Sequence, residues 1–110
     1  MSYELKKDKA GQFTFNLKAG NGQVILTGQS YASKQGAQDG IASVRTHGAT
    51  DANFELKTST AGEPFFVLKA TNGQIIGKSE MYSSTAARDN GVASVKTNSA
   101  STTVNDLTGA

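Results

Sequence analysis

Phe15-Asn16-Leu17-Lys18-Ala19-Gly20-Asn21-Gly22-Gln23 is written a second time as Phe66-Val67-Leu68-Lys69-Ala70-Thr71-Asn72-Gly73-Gln74, and Gly40-Ile41-Ala42-Ser43-Val44 returns as Gly91-Val92-Ala93-Ser94-Val95. Both segments return at the same offset of 51 residues (66 − 15 and 91 − 40), so no insertion separates the copies. A unit of this size has a marginal core unless a metal, a disulfide or a partner supports it. It also leaves strand edges that recruit another chain. Two fused units can supply each other's missing edge about a pseudo-twofold axis, like a dimer whose subunits have been joined. The division expected is repeat 1 over residues 3–47, a linker over 48–53, repeat 2 over 54–98 and a flexible tail over 99–110, all within one domain of residues 1–110.

Within each copy the hydrophobic period changes once. Tyr3 to Lys7 and Phe13 to Lys18 alternate apolar and polar residues, the pattern of half-buried strands. Asn21-Gly22 between apolar runs is a hairpin signal. A two-residue turn there would put Val24 and Leu26 on the face of Leu17, whereas a three-residue loop with a bulge at Gly22 brings Ile25 inward. The second register is preferred, because Ile25 and Tyr31 recur as Ile76 and Tyr82 while Leu26 becomes Gly77. Ser33 and Ser84 read as N-caps of helices over 34–46 and 85–97. Gly48 reads as the stop of the first. Gly40 and Gly91 stand mid-helix, where Gly costs roughly 0.8–1 kcal/mol relative to Ala; the repetition favours a close steric approach over inheritance of one tolerated Gly by duplication. The fold expected is α+β: two tandem βββα repeats forming one antiparallel sheet with both helices on one face. The tail beyond residue 98 lacks a period and is expected to fray.

The pattern Phe-x-Leu-Lys-Ala-x-Asn-Gly-Gln-x-Ile, then Tyr-x-Ser, then Gly-[Ile/Val]-Ala-Ser-Val, resembles the YegP-like family of small bacterial proteins in its duplicated form. The resemblance runs from residue 3 to 98 and into the tail. It implies a shared sheet with the helices exchanged, each packing across the other half. It carries over no activity.

Chemistry is sparsely represented. The chain has 110 residues, no Cys and one His, which excludes disulfides and thiolate metal sites and leaves few groups for acid–base catalysis. His47 lies at a helix end where the second copy has Asn98, so a polar helix-end role is preferred over a catalytic base. Asn21-Gly22 and Asn72-Gly73 join strands and lack the Lys-Ser/Thr ending of a phosphate loop. No catalytic residue, metal or cofactor is therefore expected, and the chain is read as a non-enzyme. Without a long apolar run or a secretory signal, a cytoplasmic protein with no membrane contact is expected.

The most informative surface is the sheet face that the helices leave open. Glu4, Lys6, Thr14, Asn16 and Lys18 are expected to line its first half, and Glu55, Lys57, Phe65, Val67 and Lys69 its second. With one of Ile75 or Ile76, Phe65 and Val67 would form an exposed apolar patch unless tail residues near Val104 and Leu107 cover it. The reading is a binding module for an unidentified protein partner, monomeric and internally pseudo-symmetric, with Lys57, Phe65, Val67 and Lys69 as the contact surface. Two alternatives stand beside it. One is weak nucleic-acid binding, with Lys6, Lys18, Lys57 and Lys69 on phosphates and Phe65 stacked on a base. Against it, the net charge is only +2 and no basic run exceeds Lys6-Lys7. The other is a small-molecule pocket between helices and sheet, lined by Tyr31 and Tyr82.

Overall fold

A computed structural model describes residues 2–109; Met1 and Ala110, included in the expected domain and tail, lie outside the described residues. Repeat 1 folds as β1 (Ser2–Lys7), β2 (Phe13–Lys18), β3 (Val24–Thr27) and α1 (Lys34–His47). After a short 3-10 turn (Asp51–Asn53), repeat 2 gives β4 (Phe54–Thr58), β5 (Pro64–Lys69), β6 (Ile75–Lys78) and α2 (Thr85–Asn98). A last strand, β7 (Val104–Asp106), closes the chain. All strands form one sheet in the order β4-β5-β6-β3-β2-β1-β7.

Each repeat is an antiparallel meander, as its alternation predicts. The hairpins use the three-residue loop: Ala19 N–H donates to the Gln23 carbonyl at 2.9 Å, Gly22 takes φ +82°, and Ala70, Gln74 and Gly73 repeat the arrangement. A further irregularity follows each loop, since Lys18 pairs with Val24 while Leu17 pairs with Leu26. The extra residue lets Ile25 and Leu26 both enter the core.

The halves meet through β3 and β6, where Thr27 pairs with Lys78. These positions are 51 apart, so each is the other's counterpart, the signature of a twofold axis. Two other counterpart pairs also touch. A Cβ on Gly77 would lie 2.6 Å from Leu26 Cδ2, and one on Gly48 would lie 2.6 Å from Ser99 Cβ. Gly48 has φ −73°. It ends α1 without a left-handed cap, and glycine stands there because Ser99 and the Val44 carbonyl, 2.7 Å from such a Cβ, leave no room for a side chain.

Both helices lie on one face of the sheet. α1 packs on β1 and β2 of its own half and on β5 and β6 of the other; α2 packs on β5 and on β2 and β3 of the other half. Ser33 Oγ accepts from Gly36 N–H at 3.0 Å and Ser84 Oγ from Ala87 N–H at 3.1 Å, so both N-caps form. The shared core contains Tyr3, Phe15, Leu17, Ile41, Phe66 and Val95, drawn from both repeats. The mid-helix glycines have the expected cause. A Cβ on Gly40 would lie 2.8 Å from Tyr31 Cζ, and one on Gly91 2.7 Å from Tyr82 Cζ.

The tail departs from expectation. β7 runs parallel to β1, which makes the sheet mixed, where a wholly antiparallel one was predicted. Tyr3 N–H donates to the Thr103 carbonyl at 2.9 Å and Leu107 N–H to the Leu5 carbonyl at 2.8 Å. The Tyr3 hydroxyl donates to the Ser99 carbonyl at 2.6 Å, Arg45 Nε to the Ser101 carbonyl at 2.8 Å, and Lys34 pairs with Asp106. Asn105-Asp106-Leu107 echoes Phe54-Glu55-Leu56 and Tyr3-Glu4-Leu5. After α1 the chain enters β4; after α2 it heads for the corresponding place, which β1 already fills, and adds outside it.

Candidate interaction surface

The open face is built by alternation: each strand that sends Tyr3, Phe15 or Phe66 into the core turns the neighbouring residue outward. One continuous row crosses the sheet as Glu55, Val67, Lys78, Thr27, Asn16, Glu4 and Asn105. Lys6 and Lys18 flank Glu4, and Lys57 and Lys69 flank Glu55, on the same face.

These residues form the same ion cluster twice. Glu4 meets Lys18 at 3.1 Å and Lys6 at 3.6 Å; Glu55 meets Lys69 at 3.0 Å and Lys57 at 3.5 Å. The hydrogen bond from Lys18 holds the Glu4 carboxyl below its ordinary range, and the bond from Lys69 does the same for Glu55. Each cluster keeps one positive charge in excess. Lys78 adds a further cation between them.

The structure places Lys57, Phe65, Val67 and Lys69 together on this face, but they do not form the expected exposed apolar patch. Val67 is only 3% accessible. Glu55 and Lys78 lie directly across from it, and Phe65 and Lys69 stand two residues away along β5. The Phe65 ring is half-buried beneath Lys78, whose Nζ lies 5.1 Å from its centroid. Long lysine stems cover apolar surface while their charged ends stay in water. Ile75, of the two candidate isoleucines, faces outward and is 38% exposed, while Ile76 is buried. The tail does not cover this half, since β7 joins the opposite edge of the sheet.

The tyrosines are core components. Phe15 stacks on Tyr31 and Phe66 on Tyr82, with centroids 6.3 and 6.2 Å apart, and burial pushes both hydroxyl pKa values up. Tyr82, without Tyr31, borders an open groove of ≈ 670 Å³ between the first hairpin and α2, with Ile25, Glu80 and Asn90. His47 and Asn98 do the same job. His47 Nδ1 lies 2.8 Å from the Ser43 carbonyl and 3.2 Å from Ser43 Oγ; Asn98 Nδ2 repeats both distances to Ser94. A carbonyl can only accept, so Nδ1 carries the proton there. Because an amide serves equally well, the bond is a helix-end donor contact. Among the described residues, no group of three or more His, Cys, Asp or Glu could hold a metal ion, and no helix is long and apolar enough to cross a membrane.

A feature that alternation alone did not reveal is the edge of β4. Leu56 is 51% exposed there, beside a groove of ≈ 450 Å³ that also touches Phe54, Val92 and Lys96. The signal lay in the tail: an echo of β4 at residues 105–107 marks a strand that one edge receives and the other lacks.

Comparison with known proteins gives a consistent set. A family described as "Domain of unknown function (DUF1508)" matches twice, over residues 8–55 and 59–106, again 51 apart. The UPF0339 protein YegP of Yersinia pestis is 55% identical over 106 residues, covering 96% of this chain and 95% of that protein. Two solution NMR structures share the fold. The UPF0339 protein of Shewanella oneidensis has a TM-score of 0.91 at 54% identity, covering 96% of this chain and 90% of its own. The yegP protein of E. coli has a TM-score of 0.93 at 50% identity, covering 98% and 93%.

Proposed function

The chain belongs to the DUF1508 family in a two-repeat form, and we propose that it is a non-enzymatic binding module whose open sheet face receives an acidic protein partner. The observation that carries this reading is the charge of that face: within the strands, Lys6, Lys18, Lys57, Lys69 and Lys78 stand against Glu4 and Glu55. The excess lies on the sheet face opposite the two helices. Such a field speeds and orients the approach of an anionic surface. Ile75 and the half-buried Phe65 supply apolar contact between the lysines, while Val67 packs beneath them.

An acidic protein fits better than a single-stranded nucleic acid. Base stacking needs an open ring, and the ring of Phe65 is already covered by Lys78. The cytoplasm is the compartment in which we place this module, since the chain carries no cysteine and the relatives are bacterial.

Recovery of bound proteins from native extract tests the reading. Lys57→Glu/Lys69→Glu should lose the partner, Lys9→Glu in the β1–β2 turn should keep it, and added salt should weaken capture. Equal recovery by both variants would remove the open face as the contact surface. Loss of the captured material on nuclease treatment would favour nucleic acid instead.

A further inference from the structure

We propose that the free edge of β4, with the groove beside it, docks an extended segment of a partner protein, added as a strand as the chain's own tail adds to β1. The pseudo-twofold maps β1 onto β4, so Tyr3, Leu5, Lys34 and Arg45 correspond to Phe54, Leu56, Thr85 and Lys96. On the β1 side a strand is present and Leu5 is fully buried; on the β4 side Leu56 is 51% exposed.

The backbone of this edge is ready to pair. Phe66 exchanges bonds with Ser79, accepting from Ser79 N–H at 2.9 Å and donating its own N–H to Ser79 Oγ at 2.9 Å. Leu56 lies opposite Phe66, so its N–H and C=O point away from the sheet. This is the alternation by which Tyr3 and Leu5 reach the tail. An exposed edge with apolar side pockets is the common geometry of strand addition.

The tail also defines what the second site would take. Phe54 N–H is already bonded to the Asp51 carbonyl, so the incoming strand starts beyond that turn, beside Leu56. The groove of ≈ 450 Å³ suits a short stretch of chain. Where Asp106 finds Lys34, the corresponding residue here would find the counterpart Thr85 in place of a lysine. The groove beside it is lined by Leu56 and Val92 and also by the Asp51 and Asp89 carboxylates, which favours an apolar side chain over a further carboxylate. Lys96 stands where Arg45 binds the Ser101 carbonyl, and now pairs with Asp51 at 2.8 Å. The occupant is therefore an extended segment with an aliphatic residue in register with Leu56 and no carboxylate there.

The test is titration of the isotope-labelled full chain with two synthetic peptides of residues 101–109, one unchanged and one carrying Asp106→Leu. The Asp106→Leu peptide should shift the amides of Leu56, Val92 and Lys96 and slow hydrogen exchange at Leu56. The unchanged peptide should bind about tenfold more weakly, the cost of an unpaired carboxylate at the apolar position. Leu56→Glu, at an exposed site, should abolish the shifts while the rest of the spectrum is preserved. Absence of shifts at β4, shifts confined to Tyr3 and Leu107, or concentration-dependent self-pairing of β4 without peptide would each overturn the proposal. The last outcome would assign the edge to a second copy of the chain.

Discussion

Leu26 fills the space that Gly77 leaves open: the two are counterparts in the repeat, and a Cβ on Gly77 would stand 2.6 Å from Leu26 Cδ2. At a twofold axis, equivalent side chains compete for one volume, and a homodimer must solve this with one residue type. A fused duplication can solve it asymmetrically, with leucine on one side and glycine on the other. Gly77→Ala should therefore cost about 1–3 kcal/mol through overpacking. Leu26→Ala combined with Gly77→Ala should cost less than the sum of the two, which urea unfolding of the single and double variants would measure.

Gly48 and Ser99 repeat the relationship at the helix ends. Ser99 is fully buried and its hydroxyl has no hydrogen-bond partner among the described residues. Ser99→Ala should leave stability unchanged or raise it, since it removes an unsatisfied buried polar group. Gly48→Ala should be destabilising by about 1–3 kcal/mol. Thermal unfolding of both variants separates the cases.

Gly40 and Gly91 make a third prediction. Gly→Ala inside a helix ordinarily gains about 1 kcal/mol. Here the sign should reverse, because Tyr31 and Tyr82 lie over these positions with Cζ at 2.8 and 2.7 Å from the added carbon. Denaturation of Gly40→Ala and Gly91→Ala should show loss of stability, and Tyr31→Ala combined with Gly40→Ala should show less than the sum of the two.

The tail supplies a pH dependence. The bonds from Lys34, and then those from Thr108, lower the Asp106 carboxyl from 3.8 to about 2. A depressed carboxylate favours the docked state above its unfolded pKa, and the contribution is lost as pH falls through the folded value. The tail should thus be held somewhat less firmly as pH drops from 3.8 toward about 2, read from the chemical shifts and exchange of the Tyr3 and Leu107 amides. Lys34→Met should narrow that window by raising its lower end, leaving the upper end in place.

Much of this architecture is legible in the chain because local pattern and tertiary role coincide. Alternation at Phe13–Lys18, Asn-Gly at the hairpins, serine N-caps and the paired mid-helix glycines each carry their own physical signal. The rest depends on surroundings. Val67 alternates outward, yet Glu55, Lys69 and Lys78 cover it, and sequence spacing does not report how far lysine stems fold over a neighbour. β7 has only three residues and no apolar alternation, so its pairing comes from an unfilled edge of β1. Gly48 resembles a left-handed cap but is small because its counterpart occupies the space. In the candidate surface, Lys6, Lys18, Lys57, Lys69 and Phe65 are readable from parity, whereas Lys78 and the exposed edge at Leu56 depend on how β6 pairs and on where the tail adds.

Underlying all of these expectations is the claim that each half is incomplete until the other supplies its central strand, its second helix and half of its core. Gel filtration and cooperative unfolding of residues 1–53, expressed alone, test it most directly. The expected result is an unfolded chain or a dimer that rebuilds the β3–β6 contact with two copies of β3. A compact monomer of that fragment with a sharp unfolding transition would contradict it.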